Sequence, residues 1–533
     1  MATPDGTLLT VAVIGAGTMG AGIAQVAAVA GHEVLLHDVD PTVADRAVAG
    51  IGVALDRLVR LGRISAGDRA AAVGRVRVAT ALADVAAAGL VVEVVVERLD
   101  VKRSLFADLE AVIGPDTILA SNTSSLSITQ IATGLEHPDR VVGMHFFNPA
   151  PVLALVEVVS GAATDPAVAD RVVALAEAWG KTPIRTTSTP GFVVNRVARP
   201  YYGEAFRAYE ERVADPATID ALLREAGGFR MGPFELTDLI GHDVNAAVSH
   251  SVWAAFGYDA RFTPSMAQRA LVDAGRLGRK SGRGWYTYDS DGTPIDRPEP
   301  ATAPPAEPPA FVVRLDDRLA PLVERAAAGG VESDADAWTY VSSTQPIEWA
   351  EGSQPFRHPV TGEPLRGGVV TPNGGLLRLT DGRTATELTG QSLRNVFVLD
   401  VAADLTTASR VALAVPHGAP PDVTGEVVGF LQAAGLAVSV VDDNPGLVVA
   451  RTLAMLVNLA ADAVHLGVAT AADVDLAMTK GVNYPYGPLA WGDRLGPAWV
   501  VEVLDHLSAA YGDGRYRVSP WLRRRAQTGR SLR

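Results

Sequence analysis

The chain has 533 residues, 48% of them hydrophobic, no cysteine and a formal net charge of −14. That length exceeds what one hydrophobic core supports, so several domains are expected, and the missing cysteines exclude disulfides, thiolate metal sites and thiol catalysis. With no basic tract to neutralise phosphates, general nucleic-acid binding is excluded too, and any phosphate-bearing ligand must be met by local positive sites.

Met1–Thr10 has neither a basic n-region nor a long apolar run, and later apolar stretches such as Leu90–Val96 are short and cut by Glu93. A cytoplasmic protein that spans no membrane is expected. Leu8–Ile14 reads as a strand that breaks into Gly15-Ala16-Gly17-Thr18-Met19-Gly20 and then into the helical Ala21–Ala30. Strand, G-x-G-x-x-G and helix in that order mark a dinucleotide site: Gly15, Gly17 and Gly20 permit the tight turn, and the helix start offers N–H groups to a pyrophosphate. The next strand ends at Asp38, 21 residues after Gly17, where a carboxylate holds an adenosine ribose. Asp38 would repel a 2′-phosphate, which favours NAD over NADP.

Pro41–Asp68 reads as two Ala-rich helices turning near Gly62, with Arg57, Arg60 and Arg63 sharing a face. Such a face is either plainly solvated or a contact for substrate phosphates. Leu90–Val96 is a strand buried on both sides that ends at Glu97, ahead of a helix carrying Lys102, and residues just past such strands face the ligand crevice. Thr117–Ala120 runs into Ser121-Asn122-Thr123-Ser124-Ser125, five polar residues where one helix cap needs fewer.

Gly143–Pro149 and Leu155–Val159 form a strand pair separated by prolines, and two titratable residues, His145 and Glu157, stand in these apolar runs. A buried carboxylate without a partner loses several kcal/mol of hydration, so Glu157 is expected to pair, with His145 the nearest candidate. A carboxylate on one imidazole nitrogen fixes the tautomer and leaves the other to move a substrate proton. The plainer alternative is a satisfied core histidine beside an edge-strand glutamate.

A helix at 166–180 and a strand at 182–186 follow, and at Pro190–Arg196 the pattern changes to long helices that close around Leu277–Tyr286. Asp291–Pro309 is rich in proline and charge and reads as a linker. Beyond it the sequence repeats: Pro190-Gly191-Phe192-Val193-Val194 returns as Pro445-Gly446-Leu447-Val448-Val449, and Gly180, Gly232, Asp238 and Gly241 return as Gly435, Gly487, Asp493 and Gly496, all 255 positions on. A constant offset implies a duplicated helical domain. Asn195 has Ala450 as its counterpart, so an amide at the start of the first copy is missing from the second. The stretch between, Phe311–Asp443, has no glycine fingerprint and no His145-like run; it reads as a β-meander around Pro372-Asn373-Gly374 and Asp381-Gly382, then α/β-type segments at Val396–Leu399 and Gly425–Val441, a worn α/β domain.

Together Gly15–Gly20, Asp38, Ser121–Ser125, His145–Pro149, Glu157, Gly191–Arg196 and Gly278–Tyr286 resemble the bacterial L-3-hydroxyacyl-CoA dehydrogenases, including 3-hydroxybutyryl-CoA dehydrogenases, over residues 8 to 288. The second copy, with Asn483-Tyr484-Pro485 and Gly487–Trp491, resembles the longer subgroup associated with phenylacetate breakdown, for which 3-hydroxyadipyl-CoA is the proposed substrate. The resemblance implies NAD-dependent oxidation of L-3-hydroxyacyl-CoA to 3-oxoacyl-CoA, in fatty acid β-oxidation or phenylacetate-type catabolism, without a metal. It implies His145 as general base, Glu157 as its orienting partner, Ser124 and Asn195 on the reacting oxygen or thioester, and Asp38, Glu97, Lys102 and Asn122 around NAD. Alternatives are a 3-hydroxybutyryl-CoA-specific enzyme, a free β-hydroxyacid dehydrogenase, which would rely on a catalytic lysine, and a non-catalytic NAD-binding protein.

The expected architecture is an α/β Rossmann domain (1–188), an all-α domain (189–290), the linker (291–309), a degenerate α/β segment (310–443) and a second all-α copy (444–533). The two all-α copies are expected to pack as an internal pseudo-dimer, in place of the pairing between subunits in shorter family members.

Overall fold

The computed structural model describes residues 9–333, 367–391 and 394–533, which leaves the first eight residues and part of the 310–443 segment outside the described residues. The chain divides into two compact units, the first comprising residues 1–197, 462–487 and 533, the second 198–461 and 488–532. Among the described residues no helix is long and apolar enough to cross a membrane.

In the first unit, elements follow in the order β1 (Val11–Ile14), α1 (Thr18–Val29), β2 (Val34–His37), α2 (Pro41–Arg60), α3 (Ala66–Gly74), β3 (Val76–Ala79), β4 (Leu90–Glu93), α4 (Leu99–Glu110), β5 (Ile118–Ser121), α5 (Ile128–Ala132), β6 (Val141–Phe146), β7 (Leu155–Ser160), α6 (Pro166–Ala178), β8 (Thr182–Thr187) and α7 (Val194–Val197). The sheet order is β3-β2-β1-β4-β5-β6-β7-β8. Pairing is parallel throughout except between β6 and β7. β1, β4, β5 and β6 are buried at every position, as strands covered on both faces must be. The antiparallel step sets His145 directly opposite Glu157. At Gly143 a Cβ would sit 2.7 Å from the Val159 Cβ and 3.0 Å from the Ile128 Cδ1, so this glycine lets β7 and α5 close on β6.

The long connection between β2 and β3 is two helices turning at Gly62, but the second runs from Ala66 to Gly74, past its expected end at Asp68. Asp40 caps the first through the Thr42 N–H, Gly62 turns the chain at φ +67°, and Ser65 and Asp68 form a reciprocal capping box at the start of the second.

The second unit carries α8 (Arg199–Glu210), α9 (Pro216–Glu225), α10 (Pro233–Ile240), α11 (His242–Ala255) and α12 (Met266–Asp273). The tail that follows is stitched to Asp238, whose carboxylate accepts from the Trp285 and Tyr286 N–H groups, the Tyr288 hydroxyl and His242 Nε2. Residues 291–309 contain no helix or strand, yet Ala301 N donates to Thr218 Oγ1 and Ala303 N to Val438 O, so the proline-rich stretch is held along its path.

Next come β9 (Phe311–Arg314), α13 (Ala320–Ala328), β10 (Glu332–Ser333), β11 (Val369–Val370), β12 (Leu376–Leu379), α14 (Ala385–Gly390), β13 (Val396–Leu399), β14 (Arg410–Ala414), α15 (Pro421–Ala433) and β15 (Ala437–Val441). The expected β-meander is only half present: Pro372-Asn373-Gly374 turns β11 into the antiparallel β12, but Asp381-Gly382 opens a crossover through α14 to β13, which lies parallel to β12, because a helix sits between the two strands. The order is β10-β9-β11-β12-β13-β14-β15. Its last four strands repeat the parallel, antiparallel, parallel succession of β5 to β8.

The second helical copy supplies α16 (Val449–His465), α17 (Ala471–Gly481), α18 (Pro488–Leu495), α19 (Pro497–Tyr511) and α20 (Pro520–Thr528). Duplication extends to backbone detail. Gly191 and Gly446 both have φ +72°, and the non-glycine residues after them, Phe192 and Leu447, hold φ +46° and +49°. Asp238 has its echo in Asp493, which accepts from Leu532 N and Ser531 Oγ. Within the second unit the two copies meet through Glu204, whose carboxylate receives Arg451 Nε at 3.2 Å, Arg515 Nε at 2.8 Å and the Tyr516 hydroxyl at 2.9 Å, all buried.

Candidate active site

His145 and Glu157 form a closed dyad. His145 Nδ1 lies 2.7 Å from Glu157 Oε2, and the other carboxylate oxygen accepts the Val193 and Val194 N–H groups at 3.0 Å each. The carboxylate is wholly buried, so three hydrogen bonds replace its lost hydration. With Glu157 ionised, Nδ1 carries the proton and donates, leaving Nε2 as the basic nitrogen. The two N–H groups are aimed by the left-handed backbone at Gly191 and Phe192, a conformation that costs a non-glycine residue on the order of 1 kcal/mol and persists because the carboxylate over-determines it. Phe147 and Phe192 stand against the imidazole at ring-centre distances of 4.5 and 5.8 Å and restrict its rotation.

The polar run after β5 does more than cap a helix. Ser127 caps α5, while Thr123 Oγ1, Ser124 N, Ser125 N and Ser125 Oγ all donate to Glu97 Oε1. Burial pushes the Glu97 carboxyl up, but Lys102 and these donors outweigh it and hold the group below the usual carboxylate range. Asn122 Oδ1 accepts the Phe146 N–H at 2.7 Å, which couples this loop to the end of the His145 strand. The Asn195 amide reaches the Ser124 carbonyl at 3.5 Å, which places the two residues side by side. Lys102 is fully buried, with its ammonium on Glu93 Oε1 at 2.5 Å, Val95 O at 3.3 Å and Glu97 Oε2 at 3.3 Å. Glu93 in turn accepts Ser121 Oγ at 2.7 Å, and this carboxylate had no distinguishing mark in the sequence beyond interrupting an apolar strand.

The glycine turn fits a dinucleotide. α1 begins at Gly17 with no side-chain cap on its N–H groups, and a Cβ at Gly17 would have nothing within 4 Å, so the backbone is open to approach. A Cβ at Gly20 would instead overlap the Gly15 carbonyl, which is why helix and turn can lie so close. Asp38 Oδ2 accepts the Ala16 N–H at 2.8 Å and faces a cavity of 720 Å³ bounded by Gly15, Gly17, Val94 and Leu105. These features match an adenosine and pyrophosphate; Gly15, Gly17 and Asp38 bound the cavity, while Glu97, Lys102 and Asn122 form the hydrogen-bonded layer described above.

Residues 10–189 match the NAD-binding domain of 3-hydroxyacyl-CoA dehydrogenase, residues 191–288 and again 446–533 match its C-terminal domain, and 377–445 match the reduced Rossmann-fold domain of 3-hydroxybutyryl-CoA dehydrogenase. The chain belongs to the 3-hydroxyacyl-CoA dehydrogenase family. It is 44% identical over 517 residues to the 3-hydroxyadipyl-CoA dehydrogenase of Escherichia coli K12, an alignment covering 97% of each protein. It is 39% identical to the 3-hydroxybutyryl-CoA dehydrogenase of Clostridioides difficile over 281 residues, which is 53% of this chain and all of that protein. Among solved structures, the crystal structure of 3-hydroxybutyryl-CoA dehydrogenase from E. coli K12 superposes with a TM-score of 0.85 at 42% identity, covering 98% of this chain and 99% of that one.

The reduced Rossmann segment explains why the second half of a duplicated dehydrogenase chain shows no dyad. The 255-residue offset carries His145 onto Asp400 and Glu157 onto Ala412. Asp400 has taken over the duty of Glu157: its carboxylate accepts the Val448, Val449 and Ala450 N–H groups at 2.7–3.0 Å. Burial pushes its pKa up to about 6 against these hydrogen bonds, which lower it. A carboxylate stands at the counterpart of His145 and an alanine at that of Glu157, so the helix start is held from the opposite strand and no base is present. The clue lay in following the offset further back than Gly180 and Gly435.

Proposed function

We propose that the protein oxidises L-3-hydroxyacyl-CoA to 3-oxoacyl-CoA with NAD through the His145–Glu157 dyad, and that a dicarboxylic 3-hydroxyadipyl-CoA is its preferred substrate. The observation that carries the reaction is the buried dyad with Nε2 left for a substrate proton, in a unit that also holds the glycine turn and Asp38. His145 Nε2 removes the proton of the 3-hydroxyl as the C3–O bond becomes a carbonyl, and Glu157 stabilises the resulting imidazolium through Nδ1–H. NAD, when bound, accepts the hydride leaving C3. Ser124 and Asn195 hold the reacting oxygen or the thioester carbonyl, which aligns the hydroxyl with Nε2. In reverse, the imidazolium returns its proton to the new alkoxide. Exposed Arg57, Arg60 and Arg63 meet the CoA phosphates, a local positive site on a chain of net charge −14. The proposed setting is cytoplasmic.

Support for the adipyl chain is the relative aligned over 97% of its length and named for that substrate; the solved E. coli structure named for 3-hydroxybutyryl-CoA keeps a four-carbon chain as the second reading. Loss of NADH absorbance with acetoacetyl-CoA and then 3-oxoadipyl-CoA decides between them. The expected result is turnover of both with a higher kcat/KM for 3-oxoadipyl-CoA. Reduction of neither thioester by protein that binds NADH would overturn the reaction itself.

Asp38→Asn is expected to raise KM for NADH roughly ten- to a hundred-fold, the worth of one charge-assisted hydrogen bond of about 1.5–3 kcal/mol, and to narrow the preference for NADH over NADPH. Steady-state kinetics with both cofactors measures this; an unchanged ratio removes Asp38 from the ribose site. Replacing Arg57, Arg60 and Arg63 together by Ala is expected to raise KM for the CoA thioester and leave KM for NADH alone.

A further inference from the structure

The relative from Clostridioides difficile aligns over its whole length with 53% of this chain, so it is too short to match both helical copies. Part of the second copy lies inside the first unit, against the elements that carry the dyad and Asn195. Arg196, the neighbour of Asn195, is buried and places its guanidinium 3.1 Å from the carboxylate of Asp462 on α16, itself almost wholly buried. At Gly481, the end of α17, a Cβ would stand 2.5 Å from Leu155 Cδ2 and 3.3 Å from Val194 Cγ2. Leu155 is two residues from Glu157 on β7, and Val194 donates to Glu157. Val468 O accepts the Thr187 N–H at 3.0 Å at the end of β8. Three separate contacts from residues 462–487 thus bear on the strand of Glu157, its neighbour β8, and the short helix of Asn195.

We propose that Asp462 is a positioning residue for catalysis, whose carboxylate anchors Arg196 and through it fixes the turn of α7 that presents Asn195. A guanidinium held in a buried ion pair has little freedom, and α7 is a single turn between Val194 and Val197, too short to hold its own orientation by internal hydrogen bonds. The Arg196 backbone is tied to Gly191 O at 3.1 Å, so anchoring its side chain fixes the segment from both ends. The pattern recurs inside the second unit with roles exchanged: Arg451, the 255-offset counterpart of Arg196, finds Glu204 on α8 of the first copy. The second copy therefore has a function without chemistry of its own.

This inference rests on Asn195 and the dyad forming the active site, and a double-mutant cycle separates the two claims. Full-length Asp462→Asn, Asn195→Ala and the double variant are compared by kcat and KM for acetoacetyl-CoA and NADH, with thermal unfolding followed in parallel. Asp462→Asn is expected to lower kcat roughly ten-fold or more, the scale of small misplacements of positioned groups, with KM for NADH unchanged. Added to Asn195→Ala it is expected to cost nothing more, because the group it positions is already gone. A full multiplicative loss in the double variant means general destabilisation and overturns the proposal, as does an Asp462→Asn enzyme with wild-type kcat. Asn195→Ala with wild-type kcat overturns the site assignment instead. Where Asp462→Asn does not fold, Asp462→Glu, which keeps the charge on a longer arm, goes through the same cycle with the same outcomes.

Discussion

Replacing His145 with Ala is expected to lower kcat for 3-oxoacyl-CoA reduction about 10²–10⁴-fold, the usual contribution of a positioned general acid–base. NADH binding, measured by fluorescence titration, should be unchanged, because Asp38 and the glycine turn do not involve the dyad. Glu157→Gln should be damaging for a different reason. The amide still accepts from Val193 and Val194 with its oxygen, but its NH2 then faces Nδ1, which puts the neutral ring's proton on Nε2 and removes the base for oxidation. It also opposes the imidazolium, whose Nδ1–H would meet that NH2 without a counter-charge, so reduction loses its acid. The two variants should therefore share a kcat defect. Combining them should add little, since residues acting as one unit are not additive. A His145→Ala enzyme within a factor of a few of wild type would eliminate the histidine as the proton carrier.

Much of this site was legible in the chain because its parts are local. The glycine turn and Asp38 lie within one β-α-β passage, and His145 and Glu157 sit on adjacent strands whose alternation already points them to a buried face. The polar run 121–125 announced an unusual loop by exceeding what a cap requires, though its actual client, the Glu97 carboxylate, is fixed by tertiary approach. What sequence could not supply are pairings over long separations. Arg196 meets Asp462 across 266 positions, and Arg451 meets Glu204 across 247. Both arginines interrupt apolar runs, which hints at burial but names no partner. The repeat adds that Arg196 returns as Arg451 at the same point of the helix start. The Pro-rich stretch 291–309 shows the opposite limit: its composition reads as an extended linker, and composition carries no information on its hydrogen bonds to Thr218 and Val438.

The largest stability effect is expected at Glu204. Its carboxylate is fully buried and shared by Arg451, Arg515 and Tyr516, and Arg451 also donates to Glu211 at 2.9 Å. Burial pushes the Glu204 carboxyl up, but Arg515 and Arg451 outweigh it and hold the group below the usual carboxylate range. Glu204→Ala leaves two buried guanidinium groups facing each other with less counter-charge, which should cost about 3–5 kcal/mol, the usual penalty for removing one partner of a buried ion pair. A carboxyl lowered on folding contributes stability that is present above its unfolded value near 4.5 and is lost as pH falls through the folded one, so wild type should lose this margin in acid while Glu204→Ala should not. Replacing Glu204, Arg451 and Arg515 together by Leu and Met should cost much less than Glu204→Ala, since the burial penalty of all the charges then disappears with their attraction. Denaturant midpoints at neutral and acid pH test both statements. A single-variant loss under 1 kcal/mol would mean that water or Glu211 already neutralises the arginines, and that apolar contacts such as Leu459 against Val252 and Phe262 hold the two helical copies together without the charges.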